Sequence, residues 1–210
     1  MDKDAGAVSK MIYLGVFKND VATKTAHELA AENHLVNFNF FQKSTVAQFC
    51  TFTAGTIAAR TSPGSLTKVE EKEYTFWPLA HSAGVCAVAA TNSSYHPRVV
   101  QSLLRKVLDE FVTKYPPSAY ASFQNDSPKL SYPELKEYIV KYQDWTKVDN
   151  LSQIQKDLDE TKITIHKTID SVLARGEKID DLVAKSDGLS AQSKMFYTQA
   201  KKQNSCCAVM

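Results

Sequence analysis

The C-terminal residues carry two adjacent thiols in a pattern that lipid-transferring enzymes use. The C-a-a-X pattern with methionine last is matched by Cys207-Ala208-Val209-Met210. In this form a farnesyl group alkylates the cysteine sulfur, and the last three residues are then removed. Cys206 directly precedes it and is a candidate for reversible palmitoylation. Together with the positive charge of Lys201 and Lys202, which anionic lipids favour, these residues predict a covalent membrane anchor added by a prenyltransferase.

The other residues capable of chemistry do not form a recognisable catalytic or metal site. The histidines, which show neither metal-ligand spacing nor a nucleophile-base arrangement, are His27, His34, His81, His96 and His166. Cys50 and Cys86 have apolar neighbours, which favours buried inert thiols. A small GTPase is excluded because no phosphate-binding G-x-x-x-x-G-K-[ST] sequence occurs. We therefore expect no enzyme, no metal and no cofactor beyond the covalent farnesyl and palmitoyl groups.

Composition narrows the possible partners. The chain has 210 residues, of which 43% are hydrophobic, and its formal net charge is only +2. Nucleic-acid partners are unexpected, since they require a strong basic excess on one face. No apolar run reaches the roughly 18 residues that cross a bilayer. Cysteine usage indicates a reducing, cytosolic compartment, so we expect a cytoplasmic protein that lipid holds peripherally on membranes.

The chain divides near residue 142, because all seven prolines precede residue 134. We predict an N-terminal extension over 1–10, a compact domain over 11–142, a coiled-coil segment over 146–203 and a lipidated tail over 204–210. In the domain, the predicted elements are a strand over 11–17, a hairpin partner over 25–35 whose pattern is ambiguous with helix, a helix over 44–60 capped by Ser44, two or three strands over 66–80 and 84–91, a helix after Pro97 and a short helix over 134–142.

A heptad seam runs through the second part of the chain. Its 16 positions, spaced alternately by three and four residues, are Leu151, Ile154, Leu158, Thr161, Ile165, Thr168, Val172, Arg175, Ile179, Leu182, Ser186, Leu189, Ser193, Phe196, Ala200 and Gln203. This spacing predicts a helix of about 80 Å that pairs with other helices. Six of the positions are polar, so we expect the segment to be largely disordered in isolation. A helix lying on its own domain is the alternative.

Arg175 is the unusual member of the seam. A guanidinium in the middle of an apolar layer predicts hydrogen-bond acceptors on other chains. The alternative is a local stutter of the helix that lets Arg175 reach solvent. The apolar positions Val172 and Ile179 stay in phase on either side, which favours the first interpretation.

The sequences over 158–163 and 172–183 resemble the SNARE motif of an arginine-type SNARE, or R-SNARE. The resemblance implies a parallel bundle with three glutamine-type (Q-SNARE) helices, with Arg175 in the central ionic layer. The domain before it resembles a longin domain, which implies an α+β, profilin-like fold: an antiparallel five-stranded sheet flanked by helices. The ending, residues 203–210, is similar to the lipid-anchored longin R-SNARE that lacks a transmembrane segment.

The resemblance also implies membrane fusion, recycling by a SNARE-disassembly ATPase with its adaptor, and transport among Golgi, ER-derived vesicle and endosomal or vacuolar membranes. We further predict that Val46, Phe49 and Phe52 form an autoinhibitory groove that receives the seam or the lipid. Two rivals stay open: a prenylated coiled-coil adaptor or tether that regulates trafficking without driving fusion, and an acyl-transfer role that no motif supports.

Overall fold

A single mixed β-sheet is the centre of the fold. The computed structural model describes residues 10–64, 66–71, 73–124, 127–147, 163–166 and 168–206. The strands are β1 (Met11–Asp20), β2 (Thr25–Asn33), β3 (Leu66–Glu71), β4 (Tyr74–His81), β5 (Val85–Asn92) and β6 (Ile163–His166). Their order across the sheet is β2-β1-β5-β4-β3-β6. The five strands of the domain pair antiparallel as predicted, and β6 adds a parallel strand beside β3.

Helices cover both faces of this sheet, so the α+β class is confirmed. They are α1 (Phe40–Ala58), α2 (Pro97–Lys114), α3 (Glu134–Lys141), α4 (Ile179–Lys185) and α5 (Ala191–Cys206). Short 3-10 turns lie at Pro117–Ala119, Tyr142–Lys147 and Ile169–Ser171. The helix predicted after Pro97 is α2, and its apolar stripe is buried throughout: Val100, Leu103, Leu104, Val107, Leu108 and Phe111. Thus α2 and α3 pack on one face, while α1 packs on the other.

The N-cap of helix α1 lies five residues before the predicted one. Asn39, not Ser44, caps it: the Asn39 side chain accepts a hydrogen bond from the backbone N–H of Gln42 at 3.0 Å. The Gln42 side-chain oxygen in turn accepts from the backbone N–H of Asn39 at 3.4 Å. This reciprocal capping box satisfies donors that a helix start leaves free. The prediction missed it because Phe40 and Phe41 are exposed and do not follow the buried periodicity.

The described part of the coiled-coil segment, residues 163–166 and 168–206, is not one continuous helix. Strand β6, a 3-10 turn and the separate helices α4 and α5 lie along the domain. The segment lies on its own domain, as in the alternative, but as several short elements and not as one helix. This corrects both the single long helix and the expected disorder for these residues. The reason is physical: without partner helices, the apolar seam gains most by packing on the nearest apolar surface. Gly176, at φ 90°, permits the break beside Arg175.

Candidate functional site

The candidate site is an apolar groove between α1 and the coiled-coil segment. It encloses about 650 Å³, within the range of about 300–1,000 Å³ typical of small-molecule sites. On the domain side, the predicted residues Val46, Phe49 and Phe52 all line it. On the other side lie Ile169, Ile179, Val183, Phe196 and Tyr197. The structure therefore brings the predicted groove residues together with residues of the segment.

A second apolar stripe of the segment, which the predicted seam does not include, does part of this packing. Ile169, Val183 and Tyr197 each directly follow a seam position, at the heptad position usually called e. They are spaced by 14 residues, and all three line the groove. Position e commonly carries charged residues in coiled coils. Apolar residues there, at regular spacing, are the signal that could have predicted contact with the domain.

The seam residues differ in how far they are buried. Leu189 and Ser193 are buried, while Val172, Ile179, Leu182 and Ser186 are half-buried. Exposed positions are Ile165, Thr168, Phe196 and Arg175, so the charge of Arg175 lies at the surface here. Leu151, Ile154, Leu158 and Thr161 lie outside the described residues, as does Cys207. The side chains of Ala200, Gln203 and Cys206 likewise lie outside what is described, although α5 extends to Cys206.

Polar and aromatic contacts fix α5 against α1. The Gln48 side-chain oxygen accepts hydrogen bonds from the backbone N–H of Ser190 at 2.9 Å and from the hydroxyl of Ser193 at 3.0 Å. One turn along, the rings of Phe49 and Tyr197 stack with centroids 5.7 Å apart. The Tyr197 hydroxyl donates to Asp180 at 2.9 Å, which ties α5 to α4. The contact with Asp180 joins α4 and α5 into one wall of the groove, and the contacts with Gln48 and Phe49 hold α5 against α1.

An ion cluster holds the break beside Arg175 onto the domain. The Glu177 carboxylate accepts from Arg60 Nη2 at 3.1 Å, from Lys24 Nζ at 3.2 Å and from the backbone N–H of Ala174 at 2.9 Å. The Ala174 N–H contributes most, and with the two cations it lowers the pKa of Glu177 to about 2. The Arg60 side chain is only 11% exposed, so its contact with Glu177 is partly shielded from solvent.

Removing this carboxylate should loosen the coiled-coil segment. The folded-state pKa of Glu177 lies below its usual 4.5, so its stabilising contribution is present above that value and is lost as pH falls toward about 2. We expect Glu177→Gln to raise the population of the open form, in which the coiled-coil segment has left the domain, about 1.4-fold to fivefold at neutral pH, since partly exposed ion pairs contribute about 0.2–1 kcal/mol. Nuclear magnetic resonance of the amides over 174–183, followed from pH 7 to 3, measures both effects.

Glu137→Gln is the matched control, because Glu137 is an exposed carboxylate of α3 on the opposite face of the sheet. It should leave the amides over 174–183 unchanged. A Glu177→Gln protein with the same open population and the same pH response as the wild type would contradict the role of the ion cluster.

The remaining candidate residues have structural surroundings. Cys50 and Cys86 are buried thiols, and burial raises the pKa of Cys50 to about 12, which keeps it protonated and inert. Among the residues that the structure describes, no group of three His, Cys, Asp or Glu side chains is placed to hold a metal ion. Over the same residues, no helix combines the length and apolar character that spanning a membrane requires.

Comparison with known proteins identifies the family. Residues 35–139 match the Longin family, described as a regulated-SNARE-like domain, and residues 150–208 match the Synaptobrevin family. The chain is 47% identical over 186 residues to the Synaptobrevin homolog ykt6 of Schizosaccharomyces pombe, covering 89% of this chain and 93% of that protein. The chain belongs to the longin-domain synaptobrevin family of SNARE proteins.

Other relatives extend this match over almost the whole chain. Synaptobrevin homolog YKT6 of Saccharomyces cerevisiae is 44% identical over 201 residues, covering 96% of this chain and 100% of that protein. The VAMP-like protein YKT61 of Arabidopsis thaliana is 44% identical over 182 residues, covering 87% of this chain and 90% of that protein. Membership of the longin-domain synaptobrevin family gives the chain an R-SNARE role in membrane trafficking, with other SNAREs as partners. SNAREs are a non-enzymatic class of protein.

Proposed function

We propose that the chain drives fusion of vesicle and target membranes by zippering with three Q-SNARE helices into a four-helix bundle. The seam over 151–203 would be buried in the bundle, and Arg175 would meet the acceptors of the central ionic layer. Burial of the apolar seam supplies the free energy, and zippering toward the C-terminal anchor draws two bilayers together. A SNARE-disassembly ATPase with its adaptor would then recycle the chain.

One observation carries the proposal: the segment that must zipper is packed on the domain. Ile179 and Phe196 are seam positions, and both line the groove with Phe49 and Phe52. The same side chains cannot face partner helices and the groove at once. Docking on the domain therefore competes with bundle formation, and the longin domain acts as an inhibitory clamp.

The groove also suits the lipid. About 650 Å³ of largely apolar space remains between α1 and the segment even with α4 and α5 in place. A farnesyl chain on Cys207 would gain from entering it, because exposed apolar surface otherwise drives aggregation. The farnesyl group would come from a prenyltransferase and a palmitoyl group on Cys206 would follow at the membrane. The chain would then shuttle between the cytoplasm and the cytosolic face of Golgi, ER-derived vesicle and endosomal or vacuolar membranes.

Arg175 provides the experiment. The lipidated chain mixed with glutamine-type SNAREs should form a detergent-resistant four-helix complex that the disassembly ATPase takes apart. Arg175→Leu should disturb register or disassembly, because acceptor side chains in the layer would be buried without a donor at about 1–3 kcal/mol each. Since Arg175 is exposed in the docked form, this change should leave the domain and groove intact.

Rescue makes this test specific. Arg175→Gln combined with a glutamine-to-arginine change in one partner restores the composition of the layer and should restore assembly and disassembly. A double variant no better than the single would contradict a central ionic layer. A wild-type chain that forms no such complex with any glutamine-type set would support the prenylated adaptor or tether.

A further inference from the structure

The start of α1 carries the most exposed large apolar side chains in the described part of the chain. Phe40 and Phe41 are each 84% exposed, and Val36 is 62% exposed. The two phenylalanine rings meet edge to face with centroids 5.8 Å apart. We name Val36, Phe40 and Phe41 the aromatic wedge. Adjacent aromatic side chains held in water indicate a surface that meets an apolar partner.

The fold holds the aromatic wedge in place. Leu35, directly before it, is buried against the domain. The capping box between Asn39 and Gln42 fixes the first turn of α1, which carries both phenylalanines. The aromatic wedge is therefore a fixed projection of the domain, so ordering it on a partner costs little conformational entropy.

The stretch of sequence that contains the aromatic wedge carries one positive charge and no negative charge. Residues 33–59 contain neither aspartate nor glutamate, and the one charged residue among them is Lys43, in the first turn of α1 after the phenylalanines. Acidic residues would normally be favoured at a helix N-terminus. Their absence means that this stretch of the chain does not repel anionic lipid headgroups, whereas Glu71, Glu73 and Asp170 line the adjoining groove. Exposed aromatic side chains and a nearby cation are two of the features found in segments that lie in a membrane interface.

The aromatic wedge also adjoins the groove. Phe38, between Val36 and Phe40, is a wall of the groove, and so is Lys201 of α5. Helix α5 continues to Cys206, about 7.5 Å of helix beyond Lys201, where the anchor sequence begins. A bilayer thus matches the exposed aromatic rings and the lysine together.

We propose that the aromatic wedge inserts into the boundary between headgroups and acyl chains of an anionic bilayer. Insertion turns the groove toward the membrane, so that a lipid held there passes into the bilayer without crossing water. Insertion itself is independent of the proposed function, whereas this transfer of lipid rests on it.

The test uses the unlipidated full-length chain with Cys206→Ser and Cys207→Ser, so that no anchor contributes. Phosphatidylcholine vesicles with and without phosphatidylserine are the probe, and flotation measures binding. Phe40→Ser with Phe41→Ser should weaken binding to phosphatidylserine vesicles about tenfold. The matched control is Val140→Ser, because Val140 is an exposed apolar residue of α3, on the opposite face of the sheet. The Val140→Ser variant should bind the vesicles as strongly as the unlipidated parent chain.

Depth is measured with Phe41→Trp and lipids brominated along the acyl chain. Phe41→Trp should add fluorescence that these vesicles quench, whereas Val140→Trp should add none that they quench. Equal binding of the parent and the double serine variant, or no quenching at Phe41→Trp, would overturn the proposal. A tryptophan at position 41 already shielded without vesicles would show that another part of the chain covers the wedge. If the double serine variant changed the oligomeric state and had no effect on vesicle binding, the aromatic wedge would be a contact with a second copy of the chain. Either result also overturns it.

Discussion

Phe52→Glu is expected to release the coiled-coil segment from the domain. Phe52 is half-buried and lines the groove opposite the segment, so a carboxylate there must be desolvated in the docked form only. Losing its apolar contact alone costs about 1.4 kcal/mol, a tenfold shift toward the open form. Amide hydrogen exchange over 168–203 in the farnesylated chain should therefore be about tenfold faster, and partner binding and membrane association should rise.

The same helix supplies the control. Phe41→Glu places the same charge on α1 at a side chain that is 84% exposed, so it should leave hydrogen exchange over 168–203 unchanged. Exchange in β5 and α2 reports whether either variant disturbs the domain. Equal, fast exchange in the wild type and in Phe52→Glu would mean that the domain does not clamp the segment.

Gly176→Ala should also favour the open form, although Gly176 does not line the groove. Gly176 has φ 90°, where a side chain costs about 1–2 kcal/mol, and nothing lies within 4 Å of an added Cβ. In a continuous helix the same change stabilises by about 1 kcal/mol. Both effects favour the extended helix. Faster exchange in both Gly176→Ala and Phe52→Glu would show that the docked form, and not one damaged side chain, controls the segment.

The domain could be predicted from sequence because its signals are local. The β-rich run from Met11 to Phe17, the proline at the start of α2 and the apolar stripe of α2 each specify an element whose partners lie in the same domain. The early start of α1 was the exception, because its capping box needs only Asn39 and Gln42 and leaves the following phenylalanines in water. A search for paired capping side chains would have located this start.

The form of the coiled-coil segment could not be predicted from its seam. Heptad spacing describes which residues share a face when the segment is one helix, and that helix is stable only if something covers the face. The same segment, interrupted at Gly176, packs instead on the domain, through the stripe of Ile169, Val183 and Tyr197. One sequence thus carries two overlapping patterns, and under the proposed function the presence of partner helices decides which one forms.

Lipidation should decide whether the chain stays on a membrane, because the aromatic wedge alone gives only weak, reversible binding. One lipid chain gives only marginal, reversible membrane binding, with a partition constant of about 10⁴ M⁻¹ for a myristoyl chain, and stable anchoring needs two signals. We expect Cys207→Ser to be recovered in the cytosolic fraction after washing and to lack a palmitoyl group on Cys206, because the unprenylated chain does not stay at a membrane long enough to be acylated. Cys206→Ser should leave a farnesylated pool that washes off membranes.

Cell fractionation with intact-mass measurement distinguishes the two variants. Met210→Leu is the control: it exchanges farnesyl for geranylgeranyl and should keep the chain on membranes. A Cys207→Ser protein still firmly bound would contradict the anchor and leave the aromatic wedge to explain the attachment.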